Sequence, residues 1–195
     1  MTTLIIRQLT PSLLQDWLNF FDRDAFADNR EWSGCYCHFY HADHARKDWD
    51  TRTPDENRAA SSVLINAGHL RGYLAYVEGC PVGWCQAAPR LSVPNLQNDE
   101  ALAVSDAGEV GSIVCFIVAQ GFRQQGVATR LLAAACEGFR KEGLRTVEAY
   151  PRRAPAGDAG NYHGPMAMYL NAGFKVHRET EDVSIVRRAL ANVAR

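Results

Sequence analysis

Residues 3–9, with the apolar run Leu4-Ile5-Ile6 followed by Arg7, Gln8 and Leu9, read as a strand. A helical period follows. Between residues 11 and 22 the apolar side chains Leu13, Leu14, Trp17, Phe20 and Phe21 recur at helical spacing. Residues 23–53 follow no period and are dense in Trp, Tyr, Phe, His and Cys, after which Thr53-Pro54-Asp55-Glu56 supplies an N-cap, a proline at the first helical position and early acids. This predicts a helix to about Ala67, stopped by Gly68. Residues 70–77 and 82–87 are rich in strand formers and flank Glu78-Gly79-Cys80-Pro81, so they are predicted to pair as a hairpin.

A polar, irregular stretch over 89–107 precedes a strand over 109–118. A helix follows from Val127, with Leu131, Leu132, Ala135 and Phe139 on one face and Gly143 at its end. Residues 146–150 read as a strand, 151–160 as a loop and 165–171 as a short helix that leads through Ala172-Gly173 into a strand over 174–176. Residues 183–188 close the sheet, and that C-terminal strand is open to pairing with a second copy of the chain. Hairpins mixed with βα units give an α/β fold, a mixed sheet flanked by helices.

Composition narrows the class. The 195 residues, 47% hydrophobic, suit a single domain over 1–195 with a core of its own. With 21 basic and 22 acidic side chains the net charge is −1, which argues against a nucleic-acid or anionic-membrane partner. Six cysteines without a charged-then-apolar leader predict reduced thiols and a cytoplasmic location, and no apolar run approaches the roughly 20 residues of a membrane span. Cys80, Cys85, Cys115 and Cys136 are expected to act as small hydrophobes in strand or helix cores. The segment holding Cys35, Cys37, His38, His41 and His44 lacks the Cys-x-x-Cys spacing of common zinc sites, so no metal is expected there. Aromatic walls for a small substrate, or simple packing, remain as its readings.

The chemistry concentrates after residue 118. A β-branched and aromatic strand feeds Arg123-Gln124-Gln125-Gly126-Val127-Ala128 and then a long helix. The free N–H groups of a first helical turn converge on an anion, Gly126 permits close backbone approach, and Arg123 adds a charge-assisted contact, so a phosphate-bearing cofactor is expected here.

The element order, the Arg123-x-x-Gly126-x-Ala128 turn and the later Met168-Tyr169-Leu170-Asn171-Ala172-Gly173-Phe174 together resemble the GNAT superfamily of N-acetyltransferases. Residues 75–84 and Glu148-Ala149-Tyr150-Pro151 are similar to a bacterial subgroup of it. The resemblance implies transfer of an acetyl group from acetyl-CoA to a primary amine, on a small molecule or a peptide, by direct attack in a ternary complex. It implies that pantetheine lies along Phe116, Ile117 and Val118, with the Val118 N–H polarising the thioester carbonyl, and that residues 123–129, which include Gln124, Gln125, Val127 and Thr129, hold the pyrophosphate. Asn161 is a further cofactor contact, and Tyr169 is the implied acid for the leaving thiolate. Where histone-type members carry a glutamate, this chain has Ser112, which leaves Glu109 and His163 as candidate bases. That departure also keeps two alternatives in view: a non-catalytic acyl-CoA sensor, and a thiol or metal module built on Cys35 and Cys37.

Overall fold

The computed structural model describes residues 3–155 and 157–191, which are organised around a seven-stranded sheet in the order β1-β2-β3-β4-β5-β7-β6. Strands β1 (Leu4–Gln8), β2 (Gly72–Val77), β3 (Cys80–Pro89) and β4 (Val110–Val118) pair antiparallel. Strand β5 (Thr146–Ala149) joins β4 in parallel, and β7 (Ser184–Ala189) and β6 (Lys175–Glu179) follow antiparallel. The sheet is the mixed α/β arrangement that the pattern predicts. Its C-terminal strand is not an edge, because β7 pairs on both sides and β6 takes the outer position.

Local chemistry accounts for the elements. The β2–β3 turn is tighter than its sequence suggests, since only Glu78 and Gly79 lie between Val77 and Cys80, both with positive φ (51° and 81°). A turn of that kind matches the right-handed twist of the two strands. It leaves Cys80 exposed at the start of β3, outside any core. Helix α1 (Leu14–Arg23) is preceded by a 3₁₀ turn at Pro11–Leu13. Helix α2 (Pro54–Asn66) opens with a reciprocal capping box, in which the Glu56 N–H donates to Thr53 Oγ1 and the Thr53 N–H donates to the Glu56 carboxylate.

Helices α1 and α2 bury Trp17, Phe20, Phe21 and Ile65 against one face of the sheet, with Leu74, Trp84, Cys115 and Ile117 beneath them. After the single turn α3 (Pro94–Gln97), helix α4 (Val127–Lys141) covers the other face through Leu131, Leu132, Ala135 and Phe139. Burying each of these larger side chains contributes on the order of 1.5–3 kcal/mol. Close approach of α4 depends on Gly111, where a Cβ would come within 2.5 Å of the Phe139 ring. The short helices α5 (Gly157–Gly160) and α6 (Met166–Asn171) lie beyond β5.

A buried ionic network ties β3, β4, β5 and β7 together. Arg90, just after β3, donates to Glu148 Oε1 at 2.9 Å, to the Tyr150 hydroxyl at 2.6 Å and to the carbonyls of Leu96 and Leu102. Arg187 Nε donates to the other Glu148 oxygen at 2.6 Å and its terminal nitrogens bind Asp106. Both Arg90 and Glu148 are fully enclosed. Removing one charge of such a group strands the other in a low-dielectric interior. Glu148→Ala is therefore expected to cost about 3–5 kcal/mol in urea unfolding, and a loss below about 1 kcal/mol would show that the network is not a stability element.

Candidate active site

The first cavity of the candidate site begins where two parallel strands part. Strands β4 and β5 pair only as far as Ile113 and Ala149. Beyond that point the Phe116 N–H donates to the Tyr162 carbonyl at 2.6 Å, and the Val118 carbonyl accepts from Arg123 Nε at 3.0 Å. Because peptide groups alternate along a strand, the Val118 N–H faces the same open side. Phe116, Ile117 and Val118 line a cavity of about 610 Å³ there, together with Gln124, Gly126, Val127, Ala128, Thr129 and Asn161.

The turn into α4 supplies the donors. Gly126 caps the helix at φ 79° and Gln124 sits at φ 58°, a paired left-handed geometry that turns successive N–H groups into one concavity. The first intrahelical bond formed over this turn runs from the Arg130 N–H to the Gly126 carbonyl. The N–H groups of Val127, Ala128 and Thr129 thus precede the helical ladder, and all three residues line the cavity at the positive end of the helix dipole. Arg123 lines the cavity as well, held there by Asp28 in a bidentate ion pair that keeps that carboxyl below its ordinary range. One expected contact is placed otherwise. The Gln125 amide turns back to the Gly121 carbonyl at 2.8 Å and lies outside the cavity lining.

The implied acid and bases are not brought together. Tyr169 is fully buried, its hydroxyl donates to the His163 carbonyl, and Gly164 stands between it and the cavity. Glu109 lies just before β4, at the end opposite the cofactor turn, where it pairs with the exposed Arg145. Nine strand residues at about 3.3 Å each separate it from that turn. His163 is buried with Nε2 3.3 Å from the Tyr40 hydroxyl, and burial pushes its pKa down to about 3 against the nearby Val114 carbonyl. Its imidazole is neutral at physiological pH and reaches neither cavity surface. Ser112 is spent on the Tyr150 hydroxyl at 3.0 Å.

A second cavity, about 570 Å³, opens on the other side of β4. The aperiodic segment folds over it as short turns, contributing Phe26, Trp32, Cys35, Phe39, Tyr40, Trp49 and Arg52, while Gln86 and Cys115 form the floor and Arg152 an edge. Phe26, Trp32, Ile117 and Tyr162 line both cavities, so these four mark where the two meet. The Trp32 and Tyr162 rings stand 5.3 Å apart there, and Arg152 lies over the Tyr162 ring and donates to its hydroxyl at 3.2 Å. The Cys/His segment is dispersed by packing: Cys37 Sγ meets Cys115 Sγ at 3.6 Å and the Trp84 indole N–H at 3.3 Å, while His44 contacts the Phe39 carbonyl. Burial pushes the Cys35 thiol up to about 12 and Cys37 well above its ordinary value.

Gln86 and Arg152 were not marked by any sequence signal, and Trp32 only as part of the aromatic segment. The aromatic density of residues 23–53 pointed at the wall but not at which side chains face inward, for want of a period.

The mixed seven-stranded sheet, its parting between β4 and β5 and its flanking helices are the fold of the GNAT acetyltransferases. The model of the acetyltransferase (GNAT) family matches residues 13–158, three quarters of the sequence, and the chain belongs to that family. It is an acyltransferase with acetyl-CoA as cosubstrate. Among solved structures it is similar to the PaiA N-acetyltransferase of Thermoplasma acidophilum in complex with coenzyme A, at 12% identity over 96% of this chain and 99% of that one, TM-score 0.57. A GCN5-related N-acetyltransferase from Kribbella flavida gives 17%, 96%, 98% and 0.56. The ribosomal-protein-alanine N-acetyltransferase of Brucella melitensis gives 18%, 95%, 99% and 0.54. At these identities the likeness is one of fold. The search of curated proteins found no match.

Two outcomes are expected. Gly126→Asp places a β-carbon at a left-handed φ and a carboxylate against the anion site, so acetyl-CoA affinity by calorimetry should fall at least 100-fold, with only a modest drop in melting temperature. For His163, whose folded pKa lies below its ordinary 6.5, the folded state binds fewer protons than the unfolded chain, so stability is lost as pH falls from about 6.5 towards about 3. His163→Gln should flatten the dependence of unfolding free energy on pH by up to ~1.4 kcal/mol per pH unit between pH 6 and 4, and an unchanged slope would show that the ring is protonated in place.

Proposed function

We propose that the protein transfers acetyl from acetyl-CoA to a primary amine by direct attack in a ternary complex. The observation that carries this reading is that the cofactor cavity and the second cavity meet at Phe26, Trp32, Ile117 and Tyr162, so thioester and acceptor can be bound together without a carrier residue. A covalent route through Cys35 or Cys37 is disfavoured by their raised thiol pKa values, which keep both sulfurs protonated. A sensor of acyl-CoA would need only the first cavity.

In this reading the Val118 N–H stabilises the oxyanion that forms at the thioester carbon, with the α4 N-terminus holding the pyrophosphate. Tyr162 replaces Tyr169 as the acid for the leaving thiolate, because its ring lines both cavities and burial holds its phenol protonated despite Arg152. Glu31 and Asp50, exposed acids in the lining of the second cavity, take the proton that the amine loses, through water. Purified protein with acetyl-CoA and a panel of amines should release CoA in step with acetylated product; tight acetyl-CoA binding without turnover on any amine would favour the sensor. Tyr162→Phe should lower kcat about 10–100-fold with the melting temperature nearly unchanged. Tyr169→Phe should instead cost about 1–2 kcal/mol of stability and leave kcat within threefold, and the reverse pattern would return the acid role to Tyr169.

A further inference from the structure

The second cavity carries a buried polar group that the reaction scheme above does not use. Gln86 is 1% exposed, it forms part of the cavity lining, and neither its Oε1 nor its Nε2 has a hydrogen-bond partner among the described residues. An enclosed amide left unpaired costs about 1–3 kcal/mol, a cost that a ligand with both a donor and an acceptor would remove. Gln86 lies directly across the strand pair from Cys115, two residues from Ile117 at the cavity junction. Two residues at about 3.3 Å each combined with one strand spacing of about 4.8 Å put it roughly 8 Å from Ile117, within the span of one small molecule.

The charges around it select the ligand further. Arg52 donates from Nε to Asn57 Oδ1 at 2.6 Å, and Arg152 donates to the Tyr162 hydroxyl, yet neither pairs with a carboxylate among the described residues. Arg30 is a third guanidinium at this mouth, against the carboxylates of Glu31 and Asp50. A local excess of positive charge on a chain of net charge −1 repels polycations and suits an acceptor that carries its own anion. The remaining lining is aromatic, which suits an apolar body.

Building on the acyltransferase reading, we infer that the acceptor is an amino-carboxylic acid with an apolar or aromatic side chain, and that Gln86 and Arg52 are its specificity-determining residues. The guanidinium of Arg52 receives the carboxylate. The Gln86 amide donates from Nε2 to the same group and accepts an N–H of the acceptor at Oε1, which points the amine toward Ile117 and the thioester. Arg–carboxylate recognition is charge-assisted and geometrically specific, so loss of the carboxylate should be felt strongly.

The test pairs each acid with its decarboxylated amine: phenylalanine with phenethylamine and leucine with 3-methylbutylamine, with spermidine as the polycation. The expected result is a kcat/KM at least tenfold higher for the acids than for their partners, carried mainly by KM, and a ratio that shrinks below about threefold in Arg52→Gln. Gln86→Leu should shrink the same ratio while raising or preserving the melting temperature, since it removes an unpaired buried amide; Gln86→Met serves if the leucine variant does not fold. A decarboxylated amine or spermidine preferred over the acids overturns the inference, as does a ratio indifferent to Arg52. So does absence of turnover on either pair in protein that binds acetyl-CoA by calorimetry. Failure to bind acetyl-CoA would instead bring down the acyltransferase reading itself.

Discussion

The site depends on the parting of β4 and β5, and that parting is anchored by the buried network of Arg90, Glu148, Tyr150 and Arg187. Glu148 sits on β5 opposite Ser112 of β4 and opposite Arg187 of β7, one residue before the last paired position. Below this level the parallel ladder holds. Above it the strands have no claim on each other's peptide groups, and a buried N–H without a partner is costly. The Phe116 N–H is therefore satisfied by the Tyr162 carbonyl, which wedges the 160–164 segment into the gap and brings the Tyr162 ring to the junction of both cavities. A charge network that is expensive to desolvate is an understandable choice here, because it fixes register and the point of separation at once.

The two cavities are built from different materials. The first cavity is lined largely by backbone: a strand edge, a left-handed cap at Gly126 and the first turn of α4. Side chains there stay small, as Ala128 does, or are held at the wall, as Arg123 is by Asp28. The second cavity is lined by side chains drawn from distant parts of the chain, held by packing rather than by a ladder. The segment over that cavity keeps its shape through short turns, the Asn57 amide donating to the Gly34 carbonyl and the Ser61 hydroxyl donating to the Tyr36 carbonyl. Common cofactor chemistry and individual acceptor chemistry can vary independently on such a plan.

Local residue patterns carried the sheet, the capped α2 and the turn before α4, because each follows from local rules: runs of strand formers between turn residues, an N-cap with a proline after it, a glycine where φ must be positive. Those rules also indicated the turn at Gly126 and the first turn of α4 as a backbone anion site, whereas the role of Val118 came from the resemblance to the GNAT superfamily. Tertiary structure decided the rest. Strand direction carried Glu109 to the far end of β4, burial enclosed Tyr169 and His163, and an ion pair 95 residues apart in sequence fastened Arg123 to Asp28 at the cavity wall. Side chains without a period have no face until something packs on them, so Trp32, Gln86 and Arg152 gained their place in the second cavity only when the loop, β3 and the segment after β5 came together. Short-range backbone preference is written in neighbouring residues, whereas the burial, pairing and charge that make a catalytic group depend on what the folded chain brings alongside it.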